Sequence, residues 1–242
     1  MSGFFGALLS VHLVCAAAAT MAFWLAAFSS KGSDFHRRTG RLFSRLIYLA
    51  AVTGGALAIA HLIAPLAVRP PDPPLTPDAA LAAARATRQT MWLVLYALVI
   101  IVTPVQHGLA VVAAGAQPMR TRSRLHAVLN TLALLGSVVL VPAAVAWQQL
   151  PFLIVAPIGF VVGLRNLSYA TQPFATPAGW QKEHLTSLIT AGITLHTVLL
   201  VFTLSRTLGV TLQGWRAYAP WTLPALIGLP IILWLRTRWQ AR

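Results

Sequence analysis

Seven stretches of the chain run apolar almost without interruption: Phe4 to Phe28, Leu42 to Leu66, Met91 to Ala113, Leu125 to Trp147, Phe152 to Asn166, His184 to Leu204 and Trp221 to Leu235. A helix needs about 20 such residues to cross the hydrocarbon of a bilayer, so each stretch predicts a membrane span. The fifth is the shortest and the seventh carries Pro224 and Pro230, which leaves either open to a re-entrant or strongly tilted course. No Lys or Arg precedes Lys31, so the first stretch lacks the charged leader of a cleaved signal peptide and reads as a retained span. The expected architecture is an all-α, polytopic transmembrane helical bundle of about seven spans, with residues 1–242 forming one domain.

Between the second and third spans, Arg69-Pro70-Pro71-Asp72-Pro73-Pro74 predicts extended chain, because proline removes backbone donors. Thr76-Pro77-Asp78 then starts a helix, and Ala79 to Ala86 predicts a short surface helix leading into the third span. Small residues set how closely helices approach in lipid. Ala16 to Ala19 on the first span, and Gly54 and Ala58 in line with His61 on the second, make those two helices expected neighbours.

Only 9% of the residues are charged, against 57% hydrophobic, where a soluble domain carries about a quarter charged. The net charge of +14 sits at the ends of apolar runs rather than along one amphipathic face, which argues against nucleic acid and for membrane topology. With the amino terminus outside and the carboxy terminus cytoplasmic, Lys31, Arg37, Arg38, Arg41, Arg45, Arg120, Arg122, Arg124, Arg165, Lys182, Arg236, Arg238 and Arg242 fall on the cytoplasmic side. Arg69, Arg85, Arg88, Arg206 and Arg216 fall outside, so the positive-inside rule favours this threading, and a bacterial inner membrane is the expected location. The lone Cys15 permits no internal disulfide.

The four acids, Asp34, Asp72, Asp78 and Glu183, all lie in predicted loops or at an interface. A carboxylate-driven transporter is disfavoured by that placement, while histidine remains able to carry protons. Zinc hydrolysis is disfavoured as well, since neither His-Glu-x-x-His nor a Cys pair occurs. His12, His61 and His196 project to the outer half of the membrane, roughly 8 to 15 Å from their helix ends. His107, His126 and His184 lie near the inner ends of theirs, and His36 in the first cytoplasmic loop.

Facing imidazoles at one depth can ligate a b-type haem, and two such pairs would carry electrons across the membrane. The outer pair is then His12 with His196, His61 substituting, and the inner pair His107 with His126; Tyr96 and Asn130 would tune the potential from behind. Trp92, Tyr96, Thr103 and His107 share one helical stripe, as do His126, Asn130 and Ser137. Such stripes also join helices by hydrogen bonds with no ligand at all.

The segment Lys31 to Arg41 packs cations and glycines into a short connection, where Lys31, His36, Arg37, Arg38 and Arg41 could contact an anion or a lipid headgroup. The plainer alternative is a topogenic loop. Tyr169, Phe174 and Trp180, in the loop Ser168 to Glu183, read mainly as headgroup-level anchors.

The Lys31-Gly32-Ser33 and His36-Arg37-Arg38-Thr39-Gly40-Arg41 pattern after a span bearing His12 resembles a bacterial family of multi-span membrane proteins, the "domain of unknown function 2306" group. Glu183-His184-Leu185 opening a span, with Gly192, His196 and Thr197 after it, is similar to that family too. The resemblance implies a topology and a set of histidines but no reaction. Three functions stay open: haem-based electron transfer as the leading one, a small-molecule transporter or ligand-binding protein using His196, His107 and nearby hydroxyls, and an accessory subunit packed against a membrane partner or a second copy.

Overall fold

The computed structural model describes residues 2–202 and 214–238, and the described residues form helices and turns without a strand. In chain order the helices are α1 (Ser2–Phe28), α2 (Asp34–Ile63), α3 (Pro65–Val68), α4 (Pro77–Ala114), α5 (Arg124–Trp147), α6 (Leu150–Thr171), α7 (Pro177–Phe202) and α8 (Ala219–Arg238). All but the four-residue α3 belong to segments long and apolar enough to cross a membrane, seven in total. The protein is therefore an all-α bundle with seven candidate spans.

Several helices outrun the apolar stretches that announce them, because lipid limits side-chain polarity only within the hydrocarbon while a helix continues wherever its ends are capped. α2 begins at Asp34, where the Ser33 side chain accepts from the His36 amide, so the basic segment expected as a loop is largely the first turns of a helix. α4 is one helix of 38 residues that absorbs the expected surface helix and carries Pro104 inside it. α6 has 22 residues and passes Pro157, and α8 passes Pro224 and Pro230, so both weak spans are continuous helices. α7 begins at Pro177, two turns before its apolar run. Leu204, Arg206 and Arg242 lie outside the described residues.

The chain forms two compact units, Met1–Leu98 and Val99–Arg242, with the boundary inside α4. In the first, α1 lies against α2 along small residues: Cys15, Ala19 and Ala22 are buried on one side, Thr53, Gly54 and Ala58 on the other. A Cβ on Gly54 would stand 2.7 Å from His12 Cε1, so glycine here is the room the imidazole occupies. In the second, α5 and α6 meet where Gly163 faces the Asn130 carbonyl oxygen, 2.8 Å from where its Cβ would be. Ser137 Oγ donates to the Ala156 carbonyl across the same contact at 2.5 Å. Gly108 of α4 lies beneath Ser187 and Leu188 of α7, and Gly228 of α8 beneath Ile193.

Candidate polar site in the second unit

Alternating helix directions bring four ends together in this unit: the last turns of α4 and α6 and the first turns of α5 and α7. Each contributes a polar group. Ser123 caps α5 by accepting from the His126 amide at 3.1 Å, which places His126 in the first turn. Thr176 caps α7, receiving the Gly179 amide on its hydroxyl and the Trp180 amide on its carbonyl. Glu183 thereby falls in the second turn of that helix.

His107 stands at the centre, fully buried. Its Nδ1 lies 3.1 Å from His126 Nε2 and its Nε2 lies 3.1 Å from Glu183 Oε1. Arg165 Nε reaches the same Glu183 oxygen at 3.2 Å, and its Nη2 donates to Ser187 Oγ at 2.9 Å. An ionised Glu183 beside the guanidinium accepts from His107 Nε2; a neutral His107 then accepts at Nδ1, so His126 Nε2 is the donor between the rings. The result is a directed chain from His126 to His107 to Glu183, closed at the carboxylate end by Arg165. His184 donates from Nδ1 to the Gly108 carbonyl at 2.9 Å, tying α7 to α4 beside it.

Further polar groups surround the chain. Tyr169 meets the His107 ring edge-on, centroids 5.5 Å apart, and Asn130 donates to the His126 carbonyl at 2.7 Å. Three of their buried atoms, Asn130 Oδ1, Asn166 Nδ2 and Tyr169 OH, have no hydrogen-bond partner among the described residues. A cavity of about 280 Å³ adjoins the outer member, lined by Arg122, Ser123, His126, Ala127, Leu167, Ala170 and Thr171.

No family model, curated protein or solved structure matches the chain.

Placement of the expected residues is uneven. His107 and His126 do meet, and the stripe His126, Asn130 and Ser137 is buried throughout. The two rings share a hydrogen bond instead of standing on either side of a macrocycle, and the second nitrogen of His107 is taken by Glu183. Haem does not fit between them in this arrangement. His12 lies in the first unit, with Nδ1 donating to the Ala50 carbonyl at 2.9 Å and Thr53 Oγ1 at 3.4 Å. His61 and His196 each turn Nδ1 to the carbonyl four residues back on their own helix, Leu57 and Gly192. Tyr96 is buried in the first unit and Trp92 is half exposed. Among the described residues no group of three His, Cys, Asp or Glu side chains is arranged to hold a metal ion.

Two expectations are corrected. Glu183 does not end a loop: it is buried in the second turn of α7. Tyr169 is not a headgroup anchor but packs in the interior with Val111, Ala175 and Trp180, while Phe174 remains exposed. The missed signal for Glu183 was the Thr176-Pro177 pair, a cap followed by proline at the first helical position, which sets the helix start two turns ahead of the apolar run. Arg165 was counted only as a topogenic cation, and nothing local marks it otherwise.

Proposed function

We propose that this is a multi-pass protein of a bacterial inner membrane that handles protons, coupling their uptake to a small polar ligand held in the second unit. The observation that carries the reading is the unbroken His126–His107–Glu183 hydrogen-bond chain, open to a cavity at one end and closed by Arg165 at the other. Buried ionisable groups linked across helices are the usual material of proton relays in membranes. A proton arriving at His126 Nδ1 lets the Nε2 proton pass to His107 Nδ1 and the His107 Nε2 proton pass to Glu183. Both rings then finish neutral in the opposite tautomer, with the carboxylate protonated. That neutralisation releases Arg165, so the proton changes the charge any nearby ligand meets. Asn130 Oδ1, Asn166 Nδ2 and Tyr169 OH are further buried polar atoms of this unit without a hydrogen-bond partner among the described residues, each at a cost of about 1–3 kcal/mol.

The leading sequence expectation, electron transfer through b-type haem, would require His107 and His126 to give up the hydrogen bond between their rings so that iron could stand between them, while His107 Nε2 could keep Glu183. One preparation separates the two readings. Nitrogen-15 spectra of histidine-labelled protein in lipid should show the Nε2–H tautomer at both His107 and His126 and a coupling across the hydrogen bond between the rings, with the His107 resonances displaced by Glu183→Gln. Absence of that coupling, or a visible spectrum with stoichiometric b-type haem lost on His107→Ala, would overturn the proton reading.

A further inference from the structure

The carboxylate end of the relay holds more positive charge than its one acid answers. Glu183 is the single acid among residues 99–242, and two guanidiniums act on it. Arg165 Nε stands 3.2 Å from Oε1, yet the contact is a pairing of charges and not an aligned hydrogen bond, because Nε is buried without a hydrogen-bond partner among the described residues. The second guanidinium is that of Arg236, near the end of α8. Gly228 of α8 lies beneath Ile193 of α7, and these successive spans run in opposite directions. Eight residues further, about 12 Å along, Arg236 therefore comes level with Leu185, between Glu183 and Ser187. Its charge acts on both Arg165 and Glu183, while it is exposed and makes no hydrogen bond or ion pair among the described residues.

Spare donors gather at the same place. Arg165 Nη2 donates to Ser187 Oγ at 2.9 Å and reaches Asn166 Oδ1 at 3.4 Å, which brings the Asn166 amide to the guanidinium. Asn166 is fully buried, and its Nδ2 has no partner among the described residues. Buried N–H groups normally find an acceptor. Here two of them, Arg165 Nε and Asn166 Nδ2, stand with two cations around one carboxylate. An oxyanion satisfies such a surplus, since a guanidinium presents its N–H groups in a fork matched to paired oxygens. Arg165 is within reach of a solute, with 26% of its side-chain surface exposed. In the first unit, by contrast, three of the residues expected to meet an anion are engaged: Lys31 with the Ala26 and Ala27 carbonyls, His36 with Ser29 and Ala26, and Arg37 with Gly32 and Asp34.

Building on the proton relay, we infer that Arg165 and Arg236 form a binding site for a small oxyanion of the carboxylate or phosphate class, which replaces the Glu183 carboxylate when the relay protonates it. The balance is one proton for one anion. The proton arriving through His126 and His107 ends on Glu183, and the anion restores the negative charge that protonation removed. Without it the two guanidiniums would repel each other in a poorly solvating place. Proton and anion therefore favour each other's binding. The titratable and charged groups around Glu183 are His107 of α4, Arg165 and Tyr169 of α6, Arg236 of α8, and Lys182 and His184 on its own helix.

Nitrate is the probe, because it is planar like a carboxylate and stays ionised at every pH used. Full-length protein in phospholipid-free micelles would be titrated with nitrate, chloride holding the ionic strength constant, and read by nitrogen-15 resonances of the arginine side chains. The Arg165 and Arg236 signals should shift together, with an affinity that rises about tenfold from mildly alkaline to mildly acidic solution, a usual size for two ligands coupled at one site. Glu183→Gln, which mimics the protonated acid, should bind nitrate about tenfold more tightly than wild type in alkaline solution and lose the pH dependence. Arg236→Gln should bind it about tenfold more weakly. Should either variant fail to fold, the wild type decides: nitrate added to a weakly buffered sample should drive proton uptake. No shift with nitrate, an affinity independent of pH, or a pH dependence that persists in Glu183→Gln would refute the exchange. Displacement of nitrate by phosphatidylglycerol, but not by acetate or inorganic phosphate, would refute a small solute in favour of a lipid headgroup. Coupling between the histidine rings without nitrate binding removes this site alone, whereas nitrate binding without that coupling removes the relay and leaves the anion site standing.

Discussion

Arg165 and Glu183 are each nearly unthinkable alone at their positions and ordinary together. The carboxylate is buried and the guanidinium only partly exposed, at 9% and 26% of their side-chain surfaces. Removing one partner strands the other in a poorly solvating site, which costs about 3 kcal/mol or more when both are fully buried and somewhat less for a guanidinium with this exposure. Arg165→Ala and Glu183→Ala should therefore each lower unfolding stability in mixed micelles by roughly 2–3 kcal/mol. The double variant should fall short of their sum by about 1 kcal/mol or more. Strict additivity would mean that the contact contributes nothing. The sequence shows both residues plainly yet hides their relation, since they are separated by a loop and by part of two helices, and no periodicity links them.

At the scale of elements, glycine determines how the second unit closes. Gly163 is the point where α6 approaches the backbone of α5, and the obstacle to a side chain there is the Asn130 carbonyl oxygen, which cannot rotate away. Gly163→Ala should force the helices apart at a cost of about 1–3 kcal/mol, and it should disturb His126 one turn along. Gly6, with nothing within 4 Å of an added Cβ, is the control: Gly6→Ala should be neutral or slightly stabilising through helix propensity. Equal or raised stability in Gly163→Ala, matching Gly6→Ala, would show that close approach does not govern the α5–α6 contact. The helices themselves were largely legible from their apolar runs, and the expected nearness of the first two spans is visible in His12 lying over Gly54. Helix ends were less legible, because caps such as Ser33 and Thr176 extend a helix into polar sequence that hydropathy treats as loop.

For the molecule as a whole, the distribution of cations predicts the orientation across the bilayer. Cys15 is the sole cysteine, and it is buried, so Cys15→Ala supplies a clean background for thiol labelling. With Pro74→Cys added, an impermeant maleimide should label intact cells; with Gln117→Cys it should label only after permeabilisation. The opposite pattern would invert the topology and move the polar site of the second unit to the outer face.

Composition and the spacing of apolar runs were sufficient to determine an all-α chain with seven candidate spans, because lipid satisfies no backbone polar group and leaves a long apolar segment little choice but helix. They also placed His107, His126 and His184 at similar depth, since rise along a helix is fixed. Rotation about each helix axis and the pairing of one helix with another depend on contacts between residues far apart in sequence. Tertiary structure alone therefore decided that His107 faces both His126 and Glu183 and that Arg165 turns inward to the same carboxylate.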